Sequence, residues 1–219
     1  YLELKYMGLG PARVAGGKMF EWKRLPDMSS ERTGLGVSCA DGKVFAIGGE
    51  QHDNFLRTGE YLDLGNVDAG WKRLPDMGFE RSCLGVTCMD GRLFAIGGSN
   101  ENYEPLKIVE FLDLKDIDAG WKRLPDMRER RVGLGVASAE GRLFAVGGQS
   151  NTSECLDLNN VEVGWTRLPD MDHQRSYFGV TCAKGKLFAI GGAPDGDDEY
   201  LHVAHYPPIA RTLSFDRRK

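Results

Sequence analysis

The chain has 219 residues, of which 41% are hydrophobic and 27% charged, the composition of a globular protein that can bury a core. Its formal net charge of −4 excludes a uniform attraction to nucleic acid or to an anionic membrane. The apolar runs are short, as at residues 93–96, and fall far below the ~20 residues that a membrane-spanning helix needs.

One segment of sequence occurs four times along the chain. The motif Trp-x-Arg-Leu-Pro-Asp-Met begins at Trp22, Trp71, Trp121 and Trp165, which gives periods of 49, 50 and 44 residues, and Gly pairs at 48–49, 97–98, 147–148 and 191–192 keep the same spacings. The segment between a Gly pair and the next Glu-x-Leu accounts for the drift, because it has 10, 11 and then 5 residues. One loop therefore varies, while the rest of the repeat keeps its length.

Each repeat predicts four β-strands in a fixed order. The first, Gly-Val-x-Cys (36–39 and copies), ends at an Asp-Gly, Glu-Gly or Lys-Gly pair typical of a tight hairpin. The second, Leu-Phe-Ala-Ile-Gly-Gly (93–98 and copies), is apolar without alternation, as in a strand covered on both faces. The third is Glu-Tyr-Leu-Asp-Leu (60–64 and copies). The fourth, Trp-Lys-Arg-Leu (71–74 and copies), stops at Pro, and its basic residues suit an outer edge.

The Gly pair, the recurrent Trp and the period of about 50 residues resemble the kelch repeat. The resemblance covers nearly the whole chain and implies an all-β fold, a kelch-type β-propeller of four-stranded antiparallel blades around a central channel. We expect one domain with a half-blade over 1–28, full repeats over 29–77, 78–127 and 128–171, and a last repeat with a C-terminal tail over 172–219. The Trp side chains are expected to fill the space between blades.

An arginine lies four residues after each Leu-Pro-Asp-Met, just before the predicted innermost strand: Arg32, Arg81, Arg131 and Arg175. In kelch propellers that act as substrate adaptors, the arginine of Arg-x-Gly-x-Gly-Val faces the pocket at the channel mouth and contacts acidic peptides. The resemblance implies this role most directly for Arg32 and Arg131, since Cys83 and Tyr177 replace the first Gly in the other copies. Guanidinium groups pair well with carboxylates. The alternative is structural, with each arginine holding the connecting segment to backbone carbonyls or to the Asp of Pro-Asp.

Residues that occur only once are expected to distinguish one ligand from another, and they concentrate in the variable loops 50–59, 99–109, 149–153 and 193–198. Phe55, Tyr103 and Tyr177 are unique aromatic residues near that rim, and aromatic residues with arginine are typical anchors of interfaces. Local packing within the loop is the alternative for each. The predicted partner-binding set is therefore the four arginines together with these three aromatic residues.

The sequence offers no unique constellation for catalysis. Strand-end carboxylates recur once per repeat, at Asp63, Asp113 and Asp157, so no close unique pair for acid–base chemistry is visible. We therefore predict no enzyme activity, no metal site and no cofactor.

The five cysteines lack the spacing of a disulfide framework. Cys39, Cys88 and Cys182 fall at one equivalent position of the repeat, and equivalent positions in neighbouring blades are expected to lie too far apart to cross-link. This pattern favours a reducing compartment and hence a cytoplasmic protein.

Together these features predict a protein-interaction scaffold or substrate-recognition module. It is expected to bind a peptide or partner protein, with an acidic partner favoured by the arginines, at the channel-mouth face, and to bind neither nucleic acid nor membrane. The alternatives are an architectural subunit of a larger assembly and, as in some kelch-like propellers, a sugar oxidase or epimerase. Because the chain begins at Tyr1 without a leader, we expect it to be a piece of a longer protein.

Overall fold

A computed structural model describes residues 22–194 and 204–205. Within these ranges the regular elements are β-strands and three single-turn 3-10 helices, and no helix has the length and apolar character needed to cross a membrane. The strands, in chain order, are β1 (Gly36–Ala40), β2 (Lys43–Ile47), β3 (Glu50–Gln51), β4 (Asn54–Phe55), β5 (Gly59–Asp63), β6 (Lys72–Arg73), β7 (Gly85–Met89), β8 (Arg92–Ile96), β9 (Val109–Asp113), β10 (Lys122–Arg123), β11 (Gly135–Ala139), β12 (Arg142–Val146), β13 (Ser153–Asp157), β14 (Thr166–Leu168), β15 (Gly179–Ala183), β16 (Lys186–Ile190) and β17 (Ala204–His205).

The strands form three four-stranded sheets and one three-stranded sheet, which we call blades 1 to 4 in chain order. Blade 1 has the order β1-β2-β5-β6, blade 2 β7-β8-β9-β10, blade 3 β11-β12-β13-β14 and blade 4 β15-β16-β17. Strands β3 and β4 form a separate hairpin in the loop after β2. Neighbouring strands are antiparallel throughout, so the predicted all-β fold of antiparallel blades is confirmed.

A two-residue turn joins the first two strands of each blade. Asp41 and Gly42 have φ angles of 48° and 70°, and Glu140 and Gly141 have angles of 52° and 72°. Two successive positive φ angles are those of a type I′ turn, whose twist matches that of the flanking strands. The hairpin predicted from the Asp-Gly and Glu-Gly pairs is therefore confirmed.

The blades lie side by side, with the first strand of each blade against the first strand of the next: β1 contacts β7, β7 contacts β11, and β11 contacts β15. Strands β1, β7 and β11 begin with glycine because the next blade approaches closely. A Cβ atom added to Gly85 would lie 2.2 Å from Cγ1 of Val136, and one added to Gly135 would lie 2.1 Å from Cγ2 of Val180. The repeated Gly-Val pair is thus a contact between blades, in which the glycine of one blade receives the valine of the next.

Apolar clusters fill the spaces between blades. Phe45 and Ile47 of blade 1 meet Leu93 of blade 2, and Trp121 packs against this cluster. Trp165 occupies the corresponding place between blades 2 and 3. The uniformly apolar second strand is therefore covered on both faces in blades 1 to 3, as its sequence predicted, whereas in blade 4 Ile190 is 54% exposed.

Each of these tryptophans also bonds the preceding repeat through its ring N–H. Nε1 donates to a proline carbonyl oxygen at 2.9 Å in three cases: Trp71 to Pro26, Trp121 to Pro75 and Trp165 to Pro125. The predicted position between blades is confirmed for Trp121 and Trp165. Trp22 departs from the pattern and is fully exposed, and the residues that precede it lie outside the described part of the chain.

The outer part of each blade differs from the prediction. A 3-10 turn lies before each outer strand, within the segment of constant length, at Val67–Ala69, Ile117–Ala119 and Val161–Val163. The outer strands themselves have only two or three residues and begin after the tryptophan. The predicted half-blade over 1–28 lies outside the described residues apart from 22–28, and so does the end of the last predicted repeat after residue 194, apart from 204–205.

Candidate functional site: the loop face

Two kinds of connecting segment lie at the end of the blades opposite the hairpin turns, because neighbouring strands run in opposite directions. One kind is the loop after the second strand of each blade, at 48–58, 97–108 and 147–152. The other is the linker that leads from one blade to the first strand of the next, at 74–84, 124–134 and 169–178. Isolated β-bridges join loops to linkers, for example Ser82 to Ser99 and Leu106 to Arg131. We call this end of the molecule the loop face.

The four predicted arginines are buried beneath the loop face. Arg81 and Arg175 have 0% accessible surface, Arg131 has 1%, and the side chain of Arg32 has 1%. In each case Nη1 donates to the carbonyl oxygen of the first glycine of the Gly pair in its own blade: Arg32 to Gly48 at 2.9 Å, Arg81 to Gly97 at 3.3 Å, Arg131 to Gly147 at 2.6 Å, and Arg175 to Gly191 at 2.9 Å.

The backbone of the same arginines pairs with the preceding blade. The Arg81 N–H donates to the Leu56 carbonyl oxygen at 3.2 Å, and the Arg81 carbonyl oxygen accepts from the Gly49 N–H at 2.9 Å. Arg131 makes the same two bonds one blade further on. Arg81, Arg131 and Arg175 therefore each join two neighbouring blades, with the backbone on one and the guanidinium on the other. This is the structural alternative, and the expectation that these guanidinium groups line the surface is corrected accordingly.

A buried glutamate completes the arginine site in each of the first three blades. These glutamates begin the Glu-x-Leu motif and are only 1–2% exposed: Glu60, Glu110 and Glu154. Arg32 Nη2 donates to Glu60 at 2.9 Å, Arg131 Nε donates to Glu154 at 3.0 Å, and Arg81 pairs with Glu110 in the same way. Sequence analysis missed these carboxylates as partners of the arginines, although their recurrence in every copy of the third strand was a signal that could have found them.

The other carboxylate oxygen of each glutamate accepts an N–H from the linker: Ser29 to Glu60 at 2.9 Å, Gly78 to Glu110 at 2.9 Å and Arg128 to Glu154 at 2.8 Å. Burial raises the pKa of the Glu60 carboxyl, but the hydrogen bonds from Ser29 and Arg32 outweigh it, so that pKa lies below its ordinary value. Burial lowers the pKa of Arg81 to about 10 despite the Glu110 carboxylate, which leaves its guanidinium charged at neutral pH. Buried ion pair, linker and Gly pair thus form one structural unit.

The Asp of Pro-Asp pairs with an arginine of the outer strand and not with one of the four buried arginines. Asp76 accepts from Arg73 at 2.9 Å, and Asp170 accepts from Arg167 at 3.1 Å. Both arginines lie on outer strands, and their side chains are more than half exposed, at 67% and 54%. In blade 3 the surface pair is connected to the buried one through Glu129, which lies 3.8 Å from Arg167 and 3.6 Å from Arg131.

The residues two positions after the buried arginines form what we call the inner row: Gly34, Cys83, Gly133 and Tyr177. Their φ angles are all positive, at 62°, 53°, 63° and 55°. The Cys83 N–H donates to Gly34 at 2.7 Å, the Gly133 N–H to Cys83 at 2.9 Å, and the Tyr177 N–H to Gly133 at 2.8 Å. Because non-glycine residues are strained in this region, Cys83 and Tyr177 each cost the fold about 1–3 kcal/mol.

Tyr177 is a large aromatic side chain on the inner row and is 66% exposed. Its ring lies beside Gly133, where an added Cβ atom would meet Cε1 of the tyrosine at 3.1 Å. Burial of its inner edge raises the pKa of Tyr177, and interaction with the Cys83 thiol adds to that rise. Contacts with blades 2 and 3 therefore hold this ring in place at the loop face.

Phe55 and Tyr103 meet across the junction of blades 1 and 2. Their ring centroids are 5.2 Å apart and their planes are inclined at 85°, an edge-to-face arrangement that aromatic rings favour. Tyr103 is 63% exposed. The structure thus brings together two of the three predicted aromatic residues, whereas Tyr177 belongs to the inner row.

A depression of about 320 Å³ opens beside this aromatic pair. It is lined by Asp53, Asn54, Phe55, Arg57, Glu80 and Glu101. The one cation in this lining, Arg57, pairs with Asp76 through a contact of 3.3 Å between Nε and Oδ2. The other three charged residues are carboxylates, so the depression has a negative surface.

The five cysteines are free thiols, including the three at equivalent positions of the repeat. Burial raises the pKa of the Cys182 thiol to about 11. Within residues 22–194, no group of three or more His, Cys, Asp or Glu side chains could hold a metal ion.

In a comparison with protein families, residues 80–128 match the model of the Kelch motif. This stretch contains the whole of blade 2, from β7 to β10, together with Arg81, Glu110 and Trp121. Arginine, Gly pair and first hairpin recur in blades 1, 3 and 4 at the spacings of the repeat. No curated protein matches the chain.

Proposed function

We propose that this chain, in which residues 80–128 match the model of the Kelch motif, is a protein-interaction module whose partner docks on the loop face. The observation that carries this proposal is the division between repeated and unique residues. The repeated arginines are buried in the scaffold, whereas the unique residues Tyr103 and Tyr177 remain 63% and 66% exposed at one end of the molecule.

The scaffold beneath this surface is rigid by construction. Each linker of the first three blades is held by a buried arginine and a buried glutamate, as in the Arg81–Glu110 pair. Loops mounted on such a base keep their shape without a partner, which lowers the entropy cost of binding. A protein partner suits a surface of this kind, because exposed aromatic anchors dominate the energetics of protein interfaces.

Backbone strain at Tyr177 supports the same face. Blades 1 and 3 carry glycine at this position, Gly34 and Gly133, where a positive φ costs nothing. Tyr177, in blade 4, is strained and 66% exposed, so it contributes little buried apolar surface to the fold. Strain of this kind is concentrated at binding surfaces, and we assign Tyr177 to the docking surface on that ground.

The cysteines and the net charge bear on the compartment of the protein and on the class of its partner. Five free thiols support a reducing compartment, and we place the protein in the cytoplasm. A net charge of −4 supports a protein partner rather than nucleic acid or an anionic membrane. The acidic partner that the arginines favoured loses its physical basis, because those guanidinium groups are buried.

Site-specific photocross-linking in cells tests the docking face. The photoreactive residue p-benzoylphenylalanine replaces Tyr103 or Tyr177 on the loop face, and in matched controls replaces Val163 or Leu64, which are 66% and 49% exposed at the opposite end. We expect discrete cross-linked adducts from the loop face and few from the controls, as measured by immunoblot and mass spectrometry. Adducts of equal or greater yield from Val163 and Leu64 would instead favour an architectural subunit that docks through its other end.

A further inference from the structure

We propose that the depression beside Phe55 and Tyr103 binds a basic segment of the partner protein, with an arginine or lysine side chain inside it. The inference rests on the proposed function and names the chemistry of the partner. It also reverses the charge that the sequence led us to expect, since the predicted partner was acidic.

Phe55 lines this site, and the ring of Tyr103 packs against Phe55 beside it. Phe55 packs edge-to-face on Tyr103 at 5.2 Å and leaves the tyrosine 63% exposed. An exposed ring of this kind can stack against a guanidinium or hold an ammonium over its face. Because the two residues come from different blades, this aromatic pair exists only where blades 1 and 2 meet.

Both loops are ordered by their own hydrogen bonds. In the loop of blade 1, Asn54 Nδ2 donates to the carbonyl oxygens of Gln51 and His52, at 3.2 Å each. In the loop of blade 2, Asn100 Oδ1 accepts from the backbone N–H groups of Asn102 and Glu104, at 3.0 and 2.9 Å. A ligand therefore meets a surface that is already formed, and little ordering entropy is lost on binding.

The charge of the site selects a cation. Besides His52, the loops 50–58 and 99–107 and the linker segment 78–80 carry five carboxylates and two Lys or Arg side chains. The basic side chains are already paired, Arg57 with Asp76 at 3.3 Å and Lys107 with Asp126 at 3.5 Å. No ion pair among the described residues involves Asp53, Glu80 or Glu101. These three carboxylates repel an acidic peptide and attract a basic one.

Fluorescence anisotropy with two labelled peptides tests the proposal. The probes are Gly-Ser-Arg-Trp-Arg-Ser-Gly and the same peptide with Glu in place of both Arg, titrated with the full chain at low and at physiological ionic strength. We expect the arginine peptide to bind, with an affinity that falls as salt is added, and the glutamate peptide not to bind. Failure of the arginine peptide to bind, or preference for the glutamate peptide, would overturn the proposal.

Two charge-matched triple variants locate the binding site. Asp53→Asn/Glu80→Gln/Glu101→Gln removes the carboxylates of the depression, and Asp68→Asn/Asp118→Asn/Glu162→Gln removes three exposed carboxylates of the 3-10 turns at the other end. The first variant is expected to weaken binding of the arginine peptide about tenfold and to flatten its salt dependence, and the second to change it less than about twofold. Equal affinities of the two variants would place the binding elsewhere.

The outcomes separate this inference from the function on which it rests. Cross-links at Tyr103 without binding of the arginine peptide would support docking on the loop face and refute only the proposal that the partner's segment is basic. Absence of cross-links at both loop-face positions would remove the docking face itself. Thermal unfolding of both triple variants serves as the check on folding, since the altered side chains lie at the surface.

Discussion

A charged guanidinium is buried in each of the four blades, and its partners decide whether that burial is tolerated. Arg81 donates to two carbonyl oxygens, those of Gly97 and Ile108, and pairs with the carboxylate of Glu110. A buried charge without such partners would cost several kcal/mol. The arginine therefore depends on its site as much as the site depends on the arginine.

Arg81→Met is expected to lower the free energy of unfolding by about 3–5 kcal/mol, because it leaves the Glu110 carboxylate buried without a counter-charge. The matched control Arg73→Met removes an arginine whose partner Asp76 lies at the surface, and should cost less than about 1 kcal/mol. Urea denaturation followed by fluorescence measures both. The double variant Arg81→Met/Glu110→Leu should recover part of the loss. Equal losses of unfolding free energy in the two single variants would show that the buried pair contributes no more to stability than the surface pair.

At the scale of the element, the first strand of each blade carries the contact that sets blade spacing. Gly85 lies in β7 directly against Val136 of β11. Its conformation is one that any residue could adopt, since its φ is not among the positive values. Space alone therefore requires glycine at this position.

Gly85→Ala is expected to destabilise the protein by about 1–3 kcal/mol, because the new methyl group overlaps the valine side chain. Gly65→Ala is the control, since a Cβ atom there meets only the Asp63 carboxylate, at 3.2 Å. Denaturant midpoints compare the two variants. Adding Val136→Ala to Gly85→Ala should relieve the overlap, so the double variant is expected to lose less than the sum of the single changes. An additive double variant would argue against direct contact.

At the scale of the whole molecule, the buried ion pairs link the segments that precede blades 1 to 3 to those blades, so they also link stability to pH. The Glu60 pKa in the folded protein lies below its ordinary value. The unfolded chain therefore binds protons more readily than the folded protein at acidic pH. The resulting stabilisation is fully present above the ordinary glutamate pKa and is lost as the pH falls through the lowered one.

Glu60→Gln is expected to flatten this acid dependence, since an amide does not titrate, and to lower stability at neutral pH. Urea midpoints measured from about pH 7 to about pH 3 report the change. Glu162→Gln is the control, because it alters an exposed carboxylate of a 3-10 turn at the opposite end. If the urea midpoint of Glu60→Gln fell with pH as it does in the unchanged protein, Glu60 would not contribute to the acid dependence of stability.

The sequence by itself determined the features that depend on neighbouring residues. Asp41-Gly42 and its copies predicted the hairpins, because two successive positive φ angles are a local requirement. The period of the tryptophan predicted the blades, and the uniformly apolar second strand predicted burial on both faces. Gly-Val appeared only as part of the first strand, and its role as a contact between blades emerged when β7 was placed against β11.

Only the tertiary structure decided what the arginines and the unique aromatic residues do. The partners of Arg32 lie 16, 26 and 28 positions away in the chain, at Gly48, Thr58 and Glu60. The sequence pattern of an arginine that recurs before a strand is the same whether its side chain faces solvent or the interior. The approach of Phe55 to Tyr103 and the negative surface beside them likewise depend on two blades meeting. Burial and charge at the loop face are set by packing between distant segments, which no local pattern of residues specifies.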